Sequence, residues 1–118
     1  MSAGAITAEI RHLTINNTGG NDYSVGLYTS GVTNGSFSMN SVTATGGTNS
    51  YGVYNYDSSA SIRNSAITGT TNSIVTDDSS VKVADTVLGG GVSGGGFPCV
   101  GVCDTAFVAL NANCGPTP

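Results

Sequence analysis

Apolar and polar residues alternate along this chain in short bursts, each bounded by Gly, Ser, Asn or Asp. Alternation of period two marks half-buried strands, and no stretch shows the spacing of an amphipathic helix. The bursts form three series: 25–28, 51–55, 72–76 and 100–103; then 36–39, 60–63 and 81–84; then, following directly on the second, 13–16, 41–44, 65–68 and 86–88. They recur because the sequence repeats itself. TGGNDYSVGLY at 18–28 returns as TGGTNSYGVY at 45–54, and DSSASI at 57–62 returns as DSSVKV at 78–83. Self-similarity at so short a period is the mark of a solenoid.

Three strands per pass of 21 to 26 residues predict an all-β fold, a right-handed parallel β-helix with three-strand coils. About four coils are expected, rising about 4.8 Å each, with every strand paired to its equivalent above and below. A single coil cannot bury its own inward face, so stability must come from stacking like on like. The repeat names the stacks: Leu27 on Val53 on Ile74 in one wall, and Phe37 on Ile62 on Val83 in another. At one corner Asn40, Asn64 and Asp85 align, followed by Ser41, Ser65 and Thr86, and predict a polar ladder for the turn backbone. The coils take up residues 1–90. A Gly-rich connection and a C-terminal cap fill 91–118, with Phe97, Phe107, Val108 and Leu110 as the cap's apolar contacts.

Composition changes this picture in two ways. Charged residues make up only 8% of the chain, against about 25% in ordinary soluble proteins. Yet Val, Ile and Thr recur at every pass, which argues for order rather than disorder. The formal net charge is −4, from three basic residues and seven acids. With no basic stripe to neutralise phosphates, nucleic acid is not an expected partner. No apolar run approaches the roughly 20 residues that span a bilayer, so membrane insertion is not expected either.

The start, MSAGAITAEIRH, lacks the basic and continuously apolar segments of a signal peptide. The expectation is a removed export signal or a piece of a longer chain. The first coil has no recognisable cap, which points to a homo-oligomer or an upstream domain covering it. The three cysteines, Cys99, Cys103 and Cys114, lie near the C-terminal end. Their spacing fits no zinc pattern, and the single histidine is His12. They point to a local disulfide, Cys99–Cys114, in an oxidising compartment, which suggests an extracellular, cell-surface or virion setting. Three packed thiols are the alternative, and three single pairings remain open.

The stretch NSVTATGGTNSYGVYNYDSSASIRNSAITGT at 40–70 and the closing GGGFPCVGVCDTAFVAL at 94–110 resemble the pectin-lyase-like right-handed β-helix proteins of bacteria and phages. The resemblance covers nearly the whole chain and implies the fold far more than the activity, because that fold hosts lyases, hydrolases, epimerases, adhesins and tailspikes. The family's cap reads C-V-G-V-Y-D, and Cys103 stands here in the tyrosine's place.

Three sets of residues offer chemistry. Asp57, Asp77 and Asp78 form the best carboxylate cluster, as the resemblance to polysaccharide lyases and glycoside hydrolases acting on acidic glycans would require. Asp57 and Asp78 should stack in adjacent coils, where calcium is also conceivable. Against catalysis, His12 lies several coils away and Arg63 belongs to another wall. The second set is Tyr28, Tyr54 and Tyr56. Tyr28 and Tyr54 should stack outward as an aromatic row able to meet a glycan or a second subunit, or simply to stabilise the sheet. The third is Thr43-x-Thr45 over Thr68-x-Thr70, which resembles the flat threonine faces of ice-binding solenoids but counts only two rungs before Gly89–Gly91. Arg11 and His12 read as solvated edge charges. The sequence thus favours a non-enzymatic structural or binding module, needing no cofactor, in an exported surface protein or phage-type fibre.

Overall fold

The computed structural model describes residues 7–19, 22–77, 80–94, 98–106 and 108–115. Every regular element among them is a strand. The first pass holds β1 (Thr7–Arg11), β2 (Thr14–Asn17) and β3 (Tyr23–Ser30), and the second β4 (Asn34–Ser38), β5 (Ser41–Ala44) and β6 (Asn49–Tyr56). The third is β7 (Ser59–Arg63) with the long β8 (Ala66–Asp77), and the fourth is β9 (Ser80–Ala84) with β10 (Val87–Ser93). Two-residue strands, β11 (Cys99–Val100) and β12 (Cys103–Asp104), begin the cap. From β1 through β4 and β7 to β9 the chain makes about three turns of a parallel β-solenoid, slightly fewer than the four coils expected.

The first wall runs β1-β4-β7-β9-β11 and the second β2-β5-β8-β10-β12. The third joins β3 to β6 and β6 to the later half of β8, which in turn pairs with the end of β10. The core is built as the repeat implies. Phe37 pairs with Ile62 and Ile62 with Val83, extended by Ile10 below and Cys99 above. Leu27, Val53 and Ile74 stack likewise, continued by Val92. Val42, Ile67 and Leu88 form the inward stack of the second wall, all buried.

The corner ladder is present, but shifted by one residue in the second pass. Successive coils place His12, Met39, Asn64, Asp85 and Gly101 at this corner, all left-handed with φ between 48 and 63°. Asn64 and Asp85 therefore align with Met39, while Asn40 aligns with Ser65 and Thr86 on the inside. The asparagine amide does what the hydroxyls do. Leu13 N–H donates to Asn40 Oδ1 at 2.9 Å, Asn40 N–H to Ser65 Oγ at 3.3 Å, and Ser65 N–H to Thr86 Oγ1 at 3.4 Å. These links span 27, 25 and 21 residues, so each coil is shorter than the one before.

Two assignments near the C-terminus change. Residues 99–100 belong to the first wall, over Val83 and Ala84, and not to the series of 25–28 and 51–55. The glycines at 89–91 lie within β10, so the last strand of the coils runs past residue 90 to Ser93. A Cβ on Gly89 would come within 2.8 Å of Thr68 Oγ1, and one on Gly90 within 2.3 Å of Gly69 O, so only glycine admits the close approach to β8.

The Cys99–Cys114 disulfide forms, and Cys103 is free and half-buried. The cap is further held by an antiparallel bridge from Cys103 to Ala109 and by the Asp104 carboxylate, which accepts from the N–H groups of Ala106 and Val108 at 2.9 and 3.0 Å. Leu110 packs on the core as expected, but Val108 is exposed because that Asp104 turn carries it outward. Phe97 and Phe107 lie outside the described residues.

Candidate functional site: a wall of tyrosines

Tyr28 pairs with Tyr54 in register, and their rings stack at 5.6 Å with 19° between planes. Two further rings join them. Tyr54 meets Tyr51 edge-on at 5.7 Å and 60°, and Tyr51 meets Tyr23 at 6.4 Å and 36°. Tyr23–Tyr51–Tyr54–Tyr28 is thus one unbroken chain of ring contacts across two coils of the third wall. The end members are 64% and 57% exposed, while Tyr51 and Tyr54 are half-buried between them. Such ring pairs add about 0.5–1.5 kcal/mol each beyond their area burial. Tyr56 is exposed on the same strand as Tyr51 and Tyr54, outside these ring contacts.

Tyr23 and Tyr51 escape a reading by strict alternation, which would send Tyr51 inward with Val53. Gly52 breaks the alternation. It is buried beside the equally buried Val53, and the register skips the Gly26–Gly52 pair. A Cβ on Gly52 would come within 2.6 Å of Ile67 Cγ2 and 2.7 Å of Ser73 O. The chain therefore spends two consecutive residues on the inside, and Tyr51 and Tyr54, three apart, both emerge outside. A glycine within a strand pattern is the sequence signal that marks this irregularity.

Beneath the rings a buried polar row secures the strand. Thr29, Asn55 and Thr76 are register partners with little or no exposure. Asn55 accepts from Thr29 Oγ1 and donates to Ser58 O at 2.9 Å, so its amide is satisfied on both sides.

Of the aspartates in the carboxylate set, Asp57 and Asp77 are described. Asp57 sits exposed at a left-handed corner with φ 46°, its N–H donating to Asp77 O at 3.0 Å. Asp77 lies close enough to the tyrosines for its charge to act on the Tyr54 phenol. Desolvation by packing first, and the Asp77 charge second, raise the Tyr54 pKa above the usual phenol value of 10.0, with Tyr28 and Tyr51 adding to the effect. Asp78 lies outside the described residues. Among the described residues no three His, Cys, Asp or Glu side chains gather as a metal site would require, and no helix is long and apolar enough to cross a membrane. Arg11 forms an ion pair with Glu9, and His12 occupies the first left-handed corner.

Comparison of the chain with protein-family models, curated proteins and solved structures gives no match. The likeness to pectin-lyase-like proteins therefore rests on the repeat phrase, and the solenoid itself on the parallel register of its walls.

Proposed function

We propose that this chain is a non-enzymatic β-solenoid binding module of an exported surface protein or phage-type fibre, and that its tyrosine wall contacts glycans. The observation that carries the reading is the continuous chain of four rings, exposed at both ends and held on rigid paired strands. Aromatic faces receive the C–H faces of sugar rings, and the phenol hydroxyls with the adjoining Asp77 carboxylate supply acceptors and donors for sugar hydroxyls at the rim. A Cys99–Cys114 disulfide supports an oxidising, extracellular setting.

The test is binding to an immobilised panel of neutral and acidic glycans by wild type, Tyr28→Ala, Tyr54→Ala and the double variant. Wild type should retain at least one glycan class that the double variant loses. Binding unchanged in the double variant, or no binding by wild type, overturns the reading. Turnover of polygalacturonate or another acidic glycan that Asp77→Asn abolishes would replace the module with an enzyme.

A further inference from the structure

We propose that the tyrosine wall selects glycans that carry free amines, polymers of 2-amino sugars in their ammonium form; this rests on the glycan reading above and assigns its ligand class. The grounds are the signs of charge around the rings. Tyr56 and Asp77 are register partners on adjacent strands, both exposed, one outward position along from the paired Tyr28 and Tyr54. Asp57, exposed at its left-handed corner, follows Tyr56 directly. At the other end of the wall Asp22, also exposed, directly precedes Tyr23, and its carbonyl accepts from Asn49 N–H at 2.9 Å, which ties it to the next coil. Carboxylates therefore stand at both ends of the chain of rings. From Tyr23 to Tyr28 the strand runs on the order of 15 Å, at about 3.3 Å per residue. An oligosaccharide lying along it would meet rings in the middle and acids at either end.

No cation offsets these acids. The chain has three Lys and Arg residues in all, and Arg11, Arg63 and Lys82 stand on strands of the first wall. Among the described residues the Asp22 and Asp57 carboxylates make no ion pair or hydrogen bond. The charge of this face also reaches the rings: desolvation first, and the Asp77 carboxylate second, raise the Tyr54 pKa. An ammonium group on such a surface gains twice, from the negative faces of the rings and from the carboxylates. A uronate or sulfate meets carboxylates without a cation and is repelled. An N-acetylated sugar keeps the ring contact alone. A wall built for acidic glycans would need Arg or Lys here, so the charge pattern selects the opposite class to the one that the family resemblance implies.

The test is calorimetric titration at mildly acidic pH, which keeps the amine protonated. The ligands are oligomers of glucosamine, N-acetylglucosamine and galacturonate matched in length, with oligolysine as a cation that has no sugar face. Wild type should bind the glucosamine oligomer roughly tenfold more tightly than the N-acetylated one, and the galacturonate oligomer not measurably. That ratio should shrink several-fold as salt rises from about 0.01 to about 1 M and the Debye length falls from about 30 to about 3 Å. Asp22→Asn, Asp57→Asn and Asp77→Asn combined should bring the ratio close to one, with circular dichroism and denaturant midpoints checking the fold. If wild type binds the N-acetylated or the galacturonate oligomer as tightly as the glucosamine oligomer, or if the preference survives in the folded triple variant, the amine assignment is overturned and the glycan reading stands. Oligolysine bound as tightly as the glucosamine oligomer overturns it too, since the wall would then read charge and not sugar. If wild type binds none of the three sugars, both readings fall.

Discussion

Met39 holds a backbone conformation that its side chain opposes. Its φ of 57° matches the other members of its corner column, but those are His12, Asn64, Asp85 and Gly101, residue types that enter the left-handed region more readily. Met39 is also 54% exposed, so little packing offsets the strain. Met39→Asn should therefore raise stability by up to roughly 1 kcal/mol, seen as a higher denaturant midpoint with an unchanged slope; a lower midpoint would show that the thioether contributes packing at the corner. Tyr54 gives the second residue-scale test. Its folded pKa is raised above the unfolded value, so the neutral phenol is the form that folding favours. The sign follows: this contribution is complete below about pH 10 and is lost as pH rises through the folded value. In an alkaline absorbance titration the Tyr54 phenol should ionise above the usual phenol value of 10.0. Asp77→Asn should lower that midpoint only in part, because desolvation is the larger cause; full restoration to the ordinary value would make the charge the main one.

The cap depends on an element-scale constraint. Cys99 stacks on Val83 at the top of the first wall, and its bond to Cys114 closes a loop of sequence separation 15. Loop-closure entropy for such a span is about 3 kcal/mol. Paired Cys99→Ala and Cys114→Ala substitution should cost on the order of 2–4 kcal/mol in equilibrium unfolding, and alkylation of the unreduced native chain should add one label, at Cys103. Two or three labels without reductant would contradict this pairing. The sequence made most elements legible because β-branched residues recur where each wall turns inward, as at Val53 and Ile74 or Ile62 and Val83. It concealed the elements in which glycine does the work. At β10 the glycine run reads as leading into the connection expected from residue 91, yet it continues the strand, and at Gly89 and Gly90 β8 approaches too closely for a side chain. At Gly52 the missing side chain shifts the alternation and brings Tyr51 to the surface, so half of the candidate site was hidden. Asn40 misled differently, because its amide reaches as far from the inner position as a hydroxyl does and its identity with Asn64 is no guide to register.

For the whole molecule, the two ends are unlike. At the far end β11 and β12 lie over β9 and β10, with the disulfide and the Asp104 turn above them. At the near end, among the described residues, β1, β2 and β3 each pair on one side only. Ile10, Ile15 and Leu27, the inward residues of that first coil, are half-buried where their counterparts one coil above are buried. Open strand edges over incompletely covered apolar residues are templates for pairing. Because the first and second walls are covered at the far end, two chains meeting through this edge do so head to head. Such a contact uses the same surface on both partners and closes as a two-fold dimer rather than a filament. Light scattering across a concentration series should show mass rising toward two chains. Reductant should leave this association unchanged, since the edge lies at the opposite end from Cys103 and the disulfide. Leu13→Lys, at an exposed position of the first coil, should shift the transition to higher concentration. A mass of one chain at every concentration would instead favour an upstream domain as the cover of the first coil, and a mass above two would require lateral contacts between walls, for which the tyrosine wall is the first place to look.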